Sequence, residues 1–254
     1  MAKARTFRTP ALILKRRDLG EADRLLTLLT PEHGKCDVVA KGARKPESAK
    51  SGHVELFTRI DAFIAKGREL DTLAQAEVQA PYLGLREELE RGAYAAYVTE
   101  LLDRFSYESE DHATPLFNLL DETYARLCLD ADLRRVVRWY ELRLLDAVGF
   151  RPELGECVIT HELLLPEDQF FSYADGGVIS PEGAKHSSPH FRVPLAKNTL
   201  KLLRHLQRSS YKQVSQLNID ATLHRDTERV MLGYLRYLLE SKLQSIDFIN
   251  RLSI

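Results

Sequence analysis

Little in this sequence invites a catalytic reading. A Walker phosphate loop, a dinucleotide-binding glycine fingerprint, an HExxH motif and a GxSxG nucleophile elbow are all absent. With them go the commonest routes to nucleotide hydrolysis, hydride transfer, metalloproteolysis and serine-based acyl transfer. Only three cysteines occur, Cys36, Cys128 and Cys157, too few and too widely spaced for a disulfide framework, which points to a reducing compartment. No apolar run approaches the roughly 18 residues of a membrane span. The opening MAKARTFRTP is basic but lacks the apolar stretch of a secretory signal. The expectation is a cytoplasmic protein with no membrane partner.

The formal net charge is only −1, but it is unevenly spread. Residues 1–50 hold 12 Lys and Arg against 6 Asp and Glu, leaving 24 against 31 in the remainder. A segment at +6 on a near-neutral chain is the electrostatic footprint of a polyanion site, or else simply a solvated charged surface.

That basic segment reads as β structure. Apolar runs lie in Phe7–Lys15, Arg24–Thr30 and Lys35–Lys41, and partial alternation continues through His53–Lys66 and Leu70–Val78. Turn signals at 18–20, 31–34 and 66–67 separate them, and GARKPESAKSG (42–52) reads as a long basic loop. Five short strands with such a loop fit an OB barrel.

From about residue 86 the spacing becomes helical. Tyr94, Tyr97, Val98, Leu101, Leu102 and Phe105 share one face. Thr114-Pro115 predicts an N-cap followed by a first-turn proline. A third helix is predicted over 131–148, stopped by Gly149. Residues 150–192 are rich in Pro and Gly and read as irregular, and helical spacing returns at 194–206 and 221–243. The predicted class is α+β: a five-stranded barrel domain (1–80), a helical domain in two parts (81–149 and 193–254) and a small insert (150–192).

Within this frame the cations Lys15, Arg16, Arg17, Lys35, Lys41, Arg44, Lys45 and Lys50 are the candidate phosphate contacts, because barrel grooves lined by long cationic side chains track single strands. Phe7, Phe57 and Phe63 are the nearby aromatics; base stacking needs them exposed, and barrel core is the competing role. Arg134, Arg135 and Arg138 on the third helix are candidates for receiving an acidic peptide, with intrahelical pairing such as Arg138–Glu141 as the alternative. Glu108, Glu110 and Asp111 form an acidic cluster that reads as a solvated connection rather than a metal site. Cys157, His161, His186 and His190 match no common zinc spacing.

Three blocks carry a family resemblance. TPALILKRRDLGEADRLLTLLTPEHGKCDVVAKGARKPES, RWYELRLLDAVGFRPELGECV and YLRYLLESKLQSIDFINRL together resemble the RecO family over nearly the whole chain. The resemblance implies binding of single- and double-stranded DNA, annealing of complementary strands, engagement of RecR and of the acidic C-terminal tail of SSB, and help in loading RecA onto SSB-coated DNA at the nucleoid during repair. None of this is enzymatic. It assigns DNA contact chiefly to Lys41, Arg44 and Lys45. It also implies a zinc-finger-like insert, since many relatives carry four cysteines there. Here that module is degenerate: of the four positions 157, 160, 180 and 183, only Cys157 is cysteine, with Thr160, Ser180 and Gly183 at the others. The expectation is therefore no cofactor and no zinc. Two other functions are weighed, a protein–protein adaptor whose barrel does not bind DNA and a metal-dependent nuclease; the latter lacks a carboxylate set.

Overall fold

The computed structural model describes residues 6–45, 47–48, 51–106 and 113–252. The chain forms two compact units. One comprises the stretch up to Asp130 together with the stretch from Ser245 onward, and the other is Ala131–Gln244.

The first unit is built on five strands, β1 (Thr6–Leu19), β2 (Asp23–Thr30), β3 (Gly34–Ala40), β4 (Arg59–Ala65) and β5 (Asp71–Ala80), closed in the order β1-β2-β3-β5-β4. With 14 residues, β1 is long enough to pair with both β2 and β4 and so close the barrel. Every pairing is antiparallel except the short β3–β5 contact at Val38↔Asp71 and Val39↔Thr72. Alternation explains the core. Ala11, Ile13, Leu26, Leu28, Val38, Ile60, Ala62, Ile64 and Leu73 point inward with no exposed surface, each larger aliphatic contributing roughly 1.5–3 kcal/mol of burial. This is the OB-like arrangement expected, although β4 starts at Arg59, and His53 lies instead in a short 3₁₀ turn.

Helices α1 (Gly84–Glu87), α2 (Leu89–Phe105) and α3 (Ala113–Leu129) complete this unit. The apolar face foreseen on α2 is buried: Tyr94, Tyr97, Val98, Leu101, Leu102 and Phe105. Thr114 is not an N-cap. It lies inside α3, and its hydroxyl donates to the Pro31 carbonyl at 2.7 Å, so a tertiary acceptor replaces the local one. The C-terminal helix, Gln244–Leu252, is held here by Ser245, whose N–H and hydroxyl both donate to Glu100 (2.9 and 2.5 Å).

The second unit contains α4 (Leu133–Ala147), β6 (Gln169–Ser172), β7 (Gly177–Ile179), β8 (Arg192–Leu195), α5 (Lys197–Arg208), α6 (Tyr211–Val214) and α7 (Ala221–Leu239). Asp132 caps α4 by accepting from the Arg135 N–H at 3.0 Å. Residues 150–192 are irregular over most of their length but not throughout. They carry most of a three-stranded sheet of order β7-β6-β8, whose strands of three and four residues are too short to show periodicity. Pro194 belongs to β8 rather than to a helix, its missing N–H tolerable on an edge strand. The last helical stretch breaks at Glu240, which takes a left-handed conformation, so α7 ends at Leu239.

Candidate nucleic-acid interface and a second groove

The turn following β3 is stitched to the β1–β2 hairpin. Gly42, at φ +68°, donates its N–H to Asp23 Oδ1 (2.8 Å), and the Arg44 N–H donates to the Ala22 carbonyl (2.9 Å). The Arg44 guanidinium reaches the Gly20 carbonyl (2.9 Å) and Asp18 (3.4 Å). Arg24 spans Asp18 (3.9 Å) and Glu55 (3.1 Å), and Glu55 also holds Arg16. Three guanidiniums thus share two carboxylates at one end of the barrel, with Lys41 and Lys45 exposed on the same turn and Arg17 exposed on β1. The Arg44–Asp18 pair is open to solvent and so is worth little against exchange for a phosphate.

The remaining barrel cations go elsewhere. Lys35 is largely buried, and its ammonium donates to the carbonyls of Asp103 (2.8 Å) and Ser106 (3.0 Å) and to the Asp103 carboxylate (3.3 Å). It fastens β3 to the end of α2 and takes no part in the cationic end. Lys15 pairs with the same carboxylate at 2.5 Å but stays exposed. Lys50 lies outside the described residues, as do Glu108, Glu110 and Asp111. Of the aromatics, only Phe7 packs against the barrel core. Phe57 rests edge-on against Tyr124 (centroids 5.8 Å), and Phe63 sits half-buried on the outer side of β4.

The arginine helix is not a docking surface as read. Arg135 and Arg138 are buried: Arg135 donates to the Leu217 carbonyl at 2.7 Å, and Arg138 pairs with Glu141 at 2.9 Å. Only Arg134 is partly exposed. What the sequence reading missed is α5. Lys201, Arg204, His205 and Arg208 recur at i, i+3, i+4 and i+7, a single helical stripe. The stripe lines a groove of about 550 Å³ whose apolar lining comes from Leu202, Leu217, Ile219 and Leu223. The stripe was legible in KNTLKLLRHLQR; the facing wall was not. Trp139 and Arg143 steady it from behind, both donating to the Ser209 carbonyl (3.1 and 2.7 Å).

Among the described residues, no group of three or more His, Cys, Asp or Glu could hold a metal ion. Burial, then the Asp71 charge, pushes the Cys36 thiol up to about 11, and burial raises that of Cys128 as well. Burial also works to raise Cys157, but hydrogen bonds from Ser180 and Thr160 outweigh it and bring this thiol down to about 6. No helix among the described residues is long and apolar enough to cross a membrane.

Comparison with known proteins covers the whole fold. Residues 1–82 match the family described as Recombination protein O N terminal, and residues 86–247 match Recombination protein O C terminal. The chain is similar to the DNA repair protein RecO of Roseiflexus sp. (strain RS-1), 38% identical over 246 residues covering 97% of this chain and 86% of the relative. It is also similar to the DNA repair protein RecO of Dehalococcoides mccartyi (strain ATCC BAA-2266 / KCTC 15142 / 195), 32% identical over 254 residues covering 100% of this chain and 98% of the relative.

Proposed function

Because the chain belongs to the RecO family of DNA repair proteins, we propose that it is a recombination mediator that binds single- and double-stranded DNA and anneals complementary strands without catalytic chemistry of its own. The observation that carries this reading is the fixed turn bearing Lys41, Arg44 and Lys45, stitched to the β1–β2 hairpin beside Arg16 and Arg24. A rigid cationic end can hold two phosphate backbones near each other. It lowers their mutual repulsion and releases their condensed counterions, so base pairing itself supplies the remaining free energy. Among the described residues no exposed aromatic platform accompanies the cations, in keeping with backbone reading and little sequence preference.

RecR and SSB are the proposed protein partners, with RecA loading as the outcome. For the acidic C-terminal tail of SSB, the α5 groove fits better than the α4 arginines. It offers four basic side chains around an apolar lining, whereas Arg135 and Arg138 are already engaged inside the unit. Lys201→Glu with Arg208→Glu should abolish binding of a tail peptide and leave oligonucleotide binding intact. Retained peptide binding would move the tail elsewhere.

The main reading is tested by strand annealing followed by fluorescence quenching of complementary labelled oligonucleotides. The unaltered protein should accelerate annealing, and Lys41→Glu/Arg44→Glu/Lys45→Glu should lose the acceleration while keeping its fold by circular dichroism. Undiminished annealing by that variant would remove the barrel end from the DNA site. Absence of both annealing and DNA binding in the parent would favour the adaptor reading.

A further inference from the structure

Cys157 and Ser180 head two turns built alike. In the first, the Thr160 N–H donates to Cys157 Sγ (3.4 Å) and the His161 N–H to the Cys157 carbonyl (2.8 Å). In the second, the Gly183 N–H donates to Ser180 Oγ (3.0 Å) and the Ala184 N–H to the Ser180 carbonyl (2.8 Å). Each turn therefore folds residue i+3 back onto the side-chain atom of residue i. The two turns face each other: Ser180 donates to Cys157 Sγ from its N–H (3.3 Å) and from its hydroxyl (3.4 Å). Gly183 completes the set, since a Cβ built there would lie 2.7 Å from Cys157 Sγ.

Four positions at spacing x-two-x in each of two opposed turns, converging on one point, is the geometry of a tetrahedral thiolate site. Zinc at about 2.3 Å from each sulfur places ligand atoms roughly 3.8 Å apart. The Sγ–Oγ separation of 3.4 Å is close to that. The residues present nonetheless do not fit the ion. One thiol, two neutral hydroxyls and a glycine cannot close a structural zinc site, and the histidines beside the turns, His161 and His186, are both exposed. The Cys157 sulfur is fully buried and accepts three hydrogen bonds where a ligating thiolate would meet its metal.

We infer that residues 150–192 hold a double metal knuckle that folds without an ion, with the Cys157 sulfur at its centre as hydrogen-bond acceptor, and that Thr160, Ser180 and Gly183 are the three positions at which cysteine alone would create a tetrahedral zinc site. The Gly183 approach is tight, but the atom it meets is a side-chain sulfur that would itself swing onto the metal. The inference is independent of the DNA-binding reading, because it concerns how one module is held together.

The test uses Co²⁺ as a spectroscopic substitute for zinc on the full chain. The unaltered protein should purify without stoichiometric zinc, show no thiolate-to-cobalt charge-transfer band and keep its unfolding midpoint in EDTA. Thr160→Cys/Ser180→Cys/Gly183→Cys should bind one Co²⁺ per chain with the intense visible bands of tetrahedral thiolate coordination, and chelation should lower its midpoint. Thr160→Cys/Ser180→Cys, which spares Gly183, should give the same tetrahedral bands at weaker affinity, from three thiolates and a water. Stoichiometric zinc in the unaltered protein would overturn the ion-free centre. Cobalt bound by neither variant, when the double variant is folded, would overturn the convergence of the four positions.

Discussion

The Nε atom of Arg44 lies 3.4 Å from Asp18, and this ion pair joins the turn after β3 to the tip of the β1–β2 hairpin. Asp18 is well exposed and also lies near Arg24, so it acts as a placeholder anion among cations. Asp18→Asn should therefore tighten binding to a short single strand a few-fold, about 0.5–1 kcal/mol at low salt. Fluorescence anisotropy measures this directly. Unchanged affinity would mean that phosphates do not approach this end of the barrel.

Lys35 offers the opposite case, a cation whose role is internal. Its three acceptors on Asp103 and Ser106 sit at the end of α2. Lys35→Met should lower stability by about 2 kcal/mol, in the range for hydrogen bonds to a charged group. DNA affinity of the folded protein should stay the same. Urea denaturation and anisotropy, run on one preparation, separate the two effects.

Asp132 brings acid sensitivity to the second unit. Burial alone would raise its carboxyl, but the His224 hydrogen bond (3.2 Å), the Arg135 N–H and the charges of both neighbours hold it below the usual carboxylate range. A depressed carboxylate contributes stability above its unfolded pKa, about 3.9, and loses it as pH falls through the lower folded value. Asp132→Ala, which also removes the α4 cap, should cost about 1 kcal/mol at neutral pH. The difference from the parent should shrink below about pH 4, as read from denaturation midpoints at stepped pH.

Gly233, in the middle of α7, has a packing reason that its helix propensity hides. A Cβ there would come within 2.0 Å of the Tyr173 hydroxyl and 2.2 Å of its Cζ. Alanine gains about 1 kcal/mol of helix propensity over glycine, but displacing a half-buried ring costs about 1–3 kcal/mol. Gly233→Ala should therefore lower the melting temperature, and a rise would show that the Tyr173 ring moves aside without loss.

The barrel was legible because its inward residues alternate over strands of seven residues or more, and Ile60, Ala62 and Ile64 are visible as such in RIDAFIA. The β6–β8 sheet was not, since three or four residues cannot display a period and Pro194 argues locally for a break. Charge runs told less than their residue types promised. Arg16 and Lys35 look alike in sequence, yet one faces a shared carboxylate at the barrel end and the other is enclosed by carbonyls. Arg135 is buried because Leu217, 82 positions away, supplies an acceptor that no local pattern announces, whereas buried Arg138 pairs with Glu141 on its own helix, as the spacing suggested. The α5 stripe was present in the sequence, but only its facing wall of Leu217, Ile219 and Leu223 turns it into a groove.

The central claim, that phosphates are neutralised by the turn carrying Lys41, Arg44 and Lys45, is tested most directly by the salt dependence of single-strand binding in the parent and in Lys41→Ala/Arg44→Ala/Lys45→Ala. Anisotropy titrations at several salt concentrations give the slope of log affinity against log salt. If these three cations each release counterions, the variant should bind more weakly and its slope should be shallower by about two, at roughly 0.7 per phosphate contact. A slope identical to that of the parent would contradict the account and place the DNA on another surface.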